Sequence, residues 1–411
     1  MSVLNELSWS TYEYKMTKFE IDIKGKKTTL TPGQVRNIYI EKDYDELSLP
    51  IFMVKLLISS KLYHSINQYH DDTKFTIIIH SQKRAKDGGT ATGKSVYLSD
   101  IFIPLGIDST PSTDAKGKST KSVAQGNTLE IEDFADEHTF ILGKKDNMKK
   151  IRKIVNDVLC SSNMLNAVSY LLSSCGVKKV LMSKFDNSTS YNELILLPIP
   201  MIEQLAYLNS MYGFYKEGAQ IFFDFDKLYI LRNCSKCTAY EPNEIKDVSL
   251  VIYQESSGKT GDVGSTVKDK KGYIHAGTGS QFHIEDQSKS SDVYMGNNSL
   301  ILNDDASSSS AISNSKDGSY NIITTTTHNK FYKNEIQTRL KELSGVVTVM
   351  VSNIDLKLLA PNKCYHIISD DSSISKQVKS KFRLSKTITV FAFEGEAMSP
   401  VTTMVLKKSE T

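Results

Sequence analysis

Along this 411-residue chain the spacing of apolar side chains changes from two-residue to helical and back, and that pattern limits the fold more than any single motif. Near the start Phe19, Ile21 and Ile23 alternate with Glu20, Asp22 and Lys24, the period of a strand with one buried and one wet face. Gly25 then turns the chain. Strand patterns return at 75–79 and at 96–103, where Pro104 closes the second. Between these strands Leu49, Phe52, Met53, Leu56, Leu57, Tyr63 and Ile66 recur at roughly helical spacing, with Ser48 as a cap and Pro50 in the first turn. A helix is expected over 47–69.

In the middle of the chain the helical period dominates. Met148, Ile151, Ile154, Val155, Val158 and Leu159 form an amphipathic stripe with Lys149, Lys150, Arg152 and Lys153 facing away, which predicts one helix. Two more, 164–175 and 201–212, end at Gly176 and Gly213, both placed for left-handed caps. Short strands at 179–182 and 194–197 and a hairpin after Gly213, with Gly218 and Asp226 as turn residues, complete an α+β unit. Its core is expected around Ile151, Val155, Leu159, Leu165, Val168, Leu172, Leu205 and Leu208. A strand at 246–254, a short helix at 335–343 and strands at 346–351, 363–368, 387–393 and 398–406 follow, so the chain ends as it began, in antiparallel β with one helix. The segment 106–126 has almost no large apolar residues and reads as a linker or mobile loop, and 256–330, rich in Ser, Gly, Asn, Asp and Thr, as a partly ordered insertion. The predicted class is α+β, mainly antiparallel β. Its domains are 1–105, an α+β domain at 127–235, and a second β domain at 236–411 carrying the insertion.

Composition narrows the function classes. Fifty Lys and Arg against 47 Asp and Glu leave a net charge of only +3, which argues against a dedicated nucleic-acid binder. No window approaches 18 uninterrupted apolar residues, and the N-terminal sequence lacks the basic flank and apolar stretch of a secretory signal, so synthesis in a cytoplasm is expected. Five cysteines spread over so long a chain read as reduced thiols rather than a disulfide framework. The 20 Tyr and 16 Phe supply flat faces for sheet packing.

Four constellations invite a chemical reading. Gly88 to Ser95 satisfies the phosphate-loop spacing through Gly88, Gly93, Lys94 and Ser95. Such a loop works only where it opens into a helix N-terminus facing the phosphates. Here the sequel is rich in β-branched and aromatic residues and reads as a strand, so the match is taken as accidental. Cys234 and Cys237 have the spacing of a shared zinc ion or a redox disulfide, yet no second Cys pair or paired-His motif lies nearby, and two free thiols in a loop are expected. Asp224 and Asp226 flank Phe225 on what would be one face of a strand, although Asp226 is more simply a turn residue. His64 and His70, six apart, do not share a helix face well enough to bind one metal. Neither G-x-S-x-G nor H-E-x-x-H occurs. No enzymatic activity, cofactor or metal ion is expected.

The run Leu196-Leu197-Pro198, Glu203-Gln204-Leu205-Ala206-Tyr207-Leu208, Tyr212-Gly213-Phe214-Tyr215, Phe222-Phe223-Asp224-Phe225 and Leu228-Tyr229-Ile230-Leu231 resembles baseplate hub proteins of contractile-tailed bacteriophages and the related late-control family. The C-terminal Leu358-Leu359-Ala360-Pro361-Asn362-Lys363 and the strands after it resemble the same family's final tube-like domain. The similarity covers 127–250 and 331–411, with a weaker match at 1–105. The resemblance implies two tail-tube-like β-barrel or sandwich domains with an inserted α+β domain. It further implies a homotrimer that sets six such domains in a ring, fitting a sixfold tail tube to a threefold central spike and lining the channel for genome ejection. The implied partners are the chain itself, the tail tube or a tube-initiator protein, the spike, and baseplate wedge or tape-measure proteins. DNA would only pass through, no membrane would be bound, and the location would be the virion tail. Competing expectations are the hub of a non-phage contractile injection system, a hub with cell-wall hydrolase activity, and a nucleotide-dependent assembly factor using Gly88 to Ser95.

Overall fold

A computed structural model describes residues 7–45, 48–84, 92–108, 135–216, 218–233, 239–252, 264–276, 282–287, 309–314, 320–325, 342–369, 372–394 and 397–409. The first region contains β1 (Thr11–Ile23), β2 (Lys26–Thr29), β3 (Val35–Asp43), β4 (Ile51–Ser59), α1 (Ser60–Gln68), β5 (Thr73–Arg84), β6 (Thr92–Asp108) and β7 (Ala135–Lys144). The middle region contains α2 (Lys145–Ile151), β8 (Asp157–Asn163), α3 (Met164–Ser174), β9 (Val180–Met182), β10 (Ser190–Leu196), α4 (Met201–Tyr212), β11 (Ala219–Phe223) and β12 (Leu228–Arg232). The last contains β13 (Asp247–Ile252), β14 (Gly264–Lys268), β15 (Lys271–Ala276), β16 (Phe282–Glu285), β17 (Ser309–Asn314), β18 (Tyr320–Thr325), β19 (Val346–Ser352), β20 (Cys364–Ser369), α5 (Ser372–Gln377), β21 (Phe382–Glu394) and β22 (Ala397–Lys408).

The fold is mostly antiparallel β around a closed eight-stranded barrel. Its order is β21-β3-β4-β7-β6-β5-β1-β22, and pairing of β22 with β21 closes the ring. The seam between β1 and β22 is short, Tyr14 with Met398 and Lys15 with Ala397, whereas β21 and β22 pair along their whole lengths. Period-two burial fills the interior. Phe19, Ile21, Phe52, Val54, Phe75, Ile77, Phe102 and Phe140 are all sealed from solvent, and Phe52 stacks on Phe102 at 4.6 Å between ring centroids. A barrel of eight strands is just wide enough to be packed solid in this way, so it is a core and not a pore.

The barrel strands β21 and β22 each extend the sheet outward. β21 also pairs with β20, which joins β13, β15 and β14 in turn; β22 also pairs with β19, which carries β16. The β13 strand runs parallel to both neighbours, β15 and β20. The N-terminal segment is fastened to this arm by a bridge from Ser10 to Ser265. The approach is so close that a Cβ on Gly264, whose φ is +135°, would lie 2.2 Å from the Ser10 carbonyl oxygen, which only glycine permits. The middle of the chain forms the α+β unit with its own core of Met164, Val168, Leu171, Leu172, Leu205, Leu208, Phe214 and Ile230.

Several local expectations are corrected. The helix expected over 47–69 is a strand to Ser59 and a helix only from Ser60, where the Ser59 hydroxyl accepts from the Leu62 amide. Pairing with β3 and β7 holds this stretch extended, so Phe52, Val54, Leu56 and Ile58 share one face and are buried in the main core at period two. The stripe from Met148 to Leu159 splits into α2, ending at Ile151, and β8, which pairs with β10. Of its later members Val158 and Leu159 lie in β8, where the β-branched Val158 fits a pleated pair more readily than a helix, while Ile154 makes an isolated bridge to Pro200. Leu165 is exposed: Asn163 caps α3, and the helix buries Met164, Ala167, Val168, Leu171 and Leu172 instead. The segment read as an insertion contributes β14, β15 and β16 to the main sheet, while β17 and β18 pair only with each other among the described strands. The β7 strand, in the stretch assigned to the α+β unit, lies in the barrel between β4 and β6. Most of the linker at 106–126 and of the helix at 335–343 lies outside the described residues, and 106–108 extend β6.

Candidate functional site

The features that tie the regions together are polar and buried, and they start from the hairpin of β11 and β12. Its turn, 224–227, carries the two aspartates that looked like an acid pair. Both lie outside the strands, so they do not share a strand face. Asp224 is buried and its carboxylate receives Lys42 Nζ of β3 at 2.8 Å, while its carbonyl accepts from Asn147 Nδ2 at 2.7 Å. Phe225 meets Phe52 and Phe102 edge-on, with centroids 5.8 and 5.9 Å away, and Lys144 Nζ donates to its carbonyl while pairing with Asp100 at 2.8 Å. Asp226 is exposed and lies 3.8 Å from Lys227. The turn is therefore a peg that docks the α+β unit on the barrel wall.

A second buried cluster lies where the end of β3 meets β21 and β22, at the end of β22 away from its seam with β1. Arg383 of β21 forks onto Glu342, with Nε to Oε1 at 2.7 Å and Nη2 to Oε2 at 2.8 Å, and its Nη1 reaches Asp45. Asp45 also accepts from Ser385 of β21, Lys407 of β22 and, at 3.4 Å, Gln220 of β11. Burial alone would raise the Asp45 carboxyl, but the charges and hydrogen bonds of Arg383 and Lys407 outweigh it and hold the group well below the usual carboxylate range. Burial likewise opposes the Arg383 charge, which Asp45 and Glu342 more than restore. The cluster joins residues far apart in sequence from all three regions.

The motif residues near the C-terminus are structural too. Tyr365 Oη receives the Ala360 amide and donates to the Leu358 carbonyl, both at 3.0 Å. Asn362 and Lys363 reach Glu244 at 3.0 and 3.2 Å. In the α+β unit, Tyr215 Oη lies 2.8 Å from the Ser183 carbonyl and 3.0 Å from that of Ile230, and Gly213, with φ of +72°, ends α4.

A family model described as the bacteriophage PBS1 gene 109 protein matches residues 13–409. The chain belongs to this family. No curated protein matches the sequence. Among solved structures, a tail protein from Neisseria meningitidis MC58 is 11% identical, with 97% of each chain covered and a TM-score of 0.47. The 43 kDa tail protein of prophage MuSo2 from Shewanella oneidensis is also 11% identical, with 95% of this chain and 97% of that one covered at 0.46. A component of the E. coli type VI secretion system is 9% identical, covering 95% and 77% at 0.42.

In this family member the remaining motif residues are dispersed. Gly88 lies outside the described residues, and Gly93, Lys94 and Ser95 lie in strand β6, so no helix N-terminus follows the glycines. Ser95 instead bonds Ser81 at 2.9 Å and Lys357 at 3.1 Å. Cys234 and Cys237 lie outside the described residues. His64 sits on α1 and His70 in the 3-10 turn after it. One grouping of metal-ligating side chains among the described residues was not foreseen: Asp247, Cys364 and His366 on adjacent strands. The sequence signal was there, a Cys-x-His alternation in a strand, but its partner is 117 residues upstream and only the sheet register brings it near.

Proposed function

We propose that this chain is a non-catalytic structural component of a phage-type tail, the hub that joins the tail tube to a central spike. The observation that carries the reading is the barrel that shares its pair β21–β22 with a second sheet arm. It supports two tube-like β modules, the barrel and the arm, with the α+β unit pegged to the barrel by its 224–227 turn; because β7, β21 and β22 complete the barrel, these modules do not follow the chain boundaries 1–105 and 236–411. Because the barrel is packed solid, a channel for DNA would run between copies of the chain and not through any one of them. Three copies would offer six β modules, the number that matches a hexameric tube on one side and a threefold spike on the other. Tube or tube-initiator, spike, wedge and tape-measure proteins would then be its neighbours, and the virion tail its location. Among the described residues no helix is long and apolar enough to cross a membrane. A cryo-microscopy map of the assembled particle tests the reading: three copies in one ring at the tube's end are expected, and six copies in one ring would overturn it. Turnover of peptidoglycan or ATP by the purified chain, abolished by one substitution, would overturn the non-catalytic part.

A further inference from the structure

β13 and β20 run parallel in register, with Asp247 directly opposite Cys364 and Ser249 opposite His366. Residues paired across a sheet, and those two apart on one strand, share a face, so Asp247, Cys364 and His366 project together. The other face, with Val248, Leu250, Tyr365 and Ile367, belongs to the main core. Further along the ligand-bearing face Val251 is covered by Leu7, Trp9 and Tyr273, which leaves the Asp247 end open.

The Asp247–His366 distance is long for a hydrogen bond, the Cys364–His366 distance fits a sulfur hydrogen bond, and both are close to those between ligands of one ion. His366 Nε2 lies 3.5 Å from Asp247 Oδ1 and 3.7 Å from Cys364 Sγ, and the three ligand atoms lie within 4.8 Å of one another. A good N–H···O bond is about 2.7–3.2 Å long, and one ring nitrogen carries at most one proton to share. In a tetrahedral zinc site, metal–sulfur and metal–nitrogen bonds of about 2.3 and 2.0–2.1 Å place sulfur and nitrogen about 3.5–3.6 Å apart, and nitrogen and oxygen about 3.3 Å apart. The two His366 distances need shifts of a few tenths of an ångström, and Asp247 and Cys364, whose ligand atoms lie within 4.8 Å, must close by up to about an ångström to seat the ion. Cys364 forms a buried floor, while Asp247 and His366 are partly exposed at 44% and 35% of their side chains, so an ion can enter from solvent.

We propose that Asp247, Cys364 and His366 bind one zinc ion, leaving the fourth position to water or to a ligand from a neighbouring protein. A thiolate with an imidazole selects zinc over magnesium or calcium, which prefer oxygen ligands. On binding, the Cys364 thiol gives its proton to solvent as the metal–sulfur bond forms. The ion would staple the start of β13 to β20, elements separated by more than a hundred residues of chain.

The test uses full-length reduced protein, stripped of metal and titrated with Co2+ alone. Expected is one equivalent bound with the visible bands of tetrahedral cobalt and a thiolate-to-cobalt charge-transfer band, all abolished by zinc. Cys364→Ser should lose the charge-transfer band. His366→Asn and Asp247→Asn alter partly exposed side chains, so they test the site even if the Cys364 variant misfolds; each should weaken Co2+ binding about tenfold or more. Absence of the band in the wild type, unchanged affinity in both of these variants, or a band that survives Cys364→Ser but disappears in Cys234→Ser or Cys237→Ser would each overturn the proposal.

Discussion

Arg383 shows how a single side chain can hold regions together. Its guanidinium is almost fully buried, satisfied by Glu342 on one edge and Asp45 on the other. Replacing it with Met leaves Glu342 without the cation it forks onto and Asp45 with Lys407 in place of two cations, and removal of one partner from a buried ion pair costs about 3–5 kcal/mol. Arg383→Met should therefore lower the urea midpoint by a corresponding amount; a change within error would mean that water reaches the cluster. The same residues predict a pH dependence. Asp45 has a folded pKa held below its unfolded value of about 3.9 by Arg383 and Lys407 against the effect of burial. Its contribution is fully present above the unfolded value and is lost as pH falls from there toward the folded one. Melting temperatures measured between neutral and acid pH should thus fall more steeply for the wild type than for Asp45→Asn. Parallel curves would remove Asp45 from the account.

At the scale of elements, α3 separates burial from composition. Leu172 faces the core of the α+β unit, whereas Leu165 points to solvent. Leu172→Ala should destabilise the unit by about 2–5 kcal/mol, and Leu165→Ala should stay within about 0.5 kcal/mol, both read from the same denaturation experiment. Equal effects would show that the face of α3 is misassigned. Helices α3 and α4 and the hairpin β11–β12 were legible in the sequence because their periods are clean and their ends are marked by glycine or turn residues. The strand β4 was not. Ile51 to Ile58 is nearly all apolar, a run that fits a helix or a strand buried by two neighbours, and only its pairing with β3 and β7 decides. The stripe 148–159 misled for a related reason: helical spacing continued past Ile151 while the residue types turned β-branched. The peg of Asp224 and Phe225 was visible as a motif, but its role was not, since Lys42, Phe52, Phe102 and Asn147 come from distant segments. The same limit hid the Asp247, Cys364 and His366 group and the partners of Arg383.

For the whole molecule, barrel closure is a long-range event. Six of its strands, β1 and β3 to β7, come from residues 11–144, and the two that close it come from 382–408. The N-terminal region by itself would leave β3 without β21 and β1 without β22. It would also expose a row of unpaired backbone groups on each edge. Open edges of this kind invite pairing with other chains, and the core residues beneath them, among them Phe391, Met398 and Met404, would be missing. A chain ending at Asn233 should therefore aggregate or unfold without a cooperative transition, although it retains most barrel strands and the whole α+β core. Adding the segment 342–409 as a separate chain should restore solubility by supplying β21 and β22 together with Glu342 and Arg383. Sedimentation and thermal melting of the fragment, alone and mixed, decide the matter. A monomeric fragment that melts cooperatively by itself would show that the six strands close without the C-terminal pair, and the two β regions would then be separable domains rather than one barrel with shared strands.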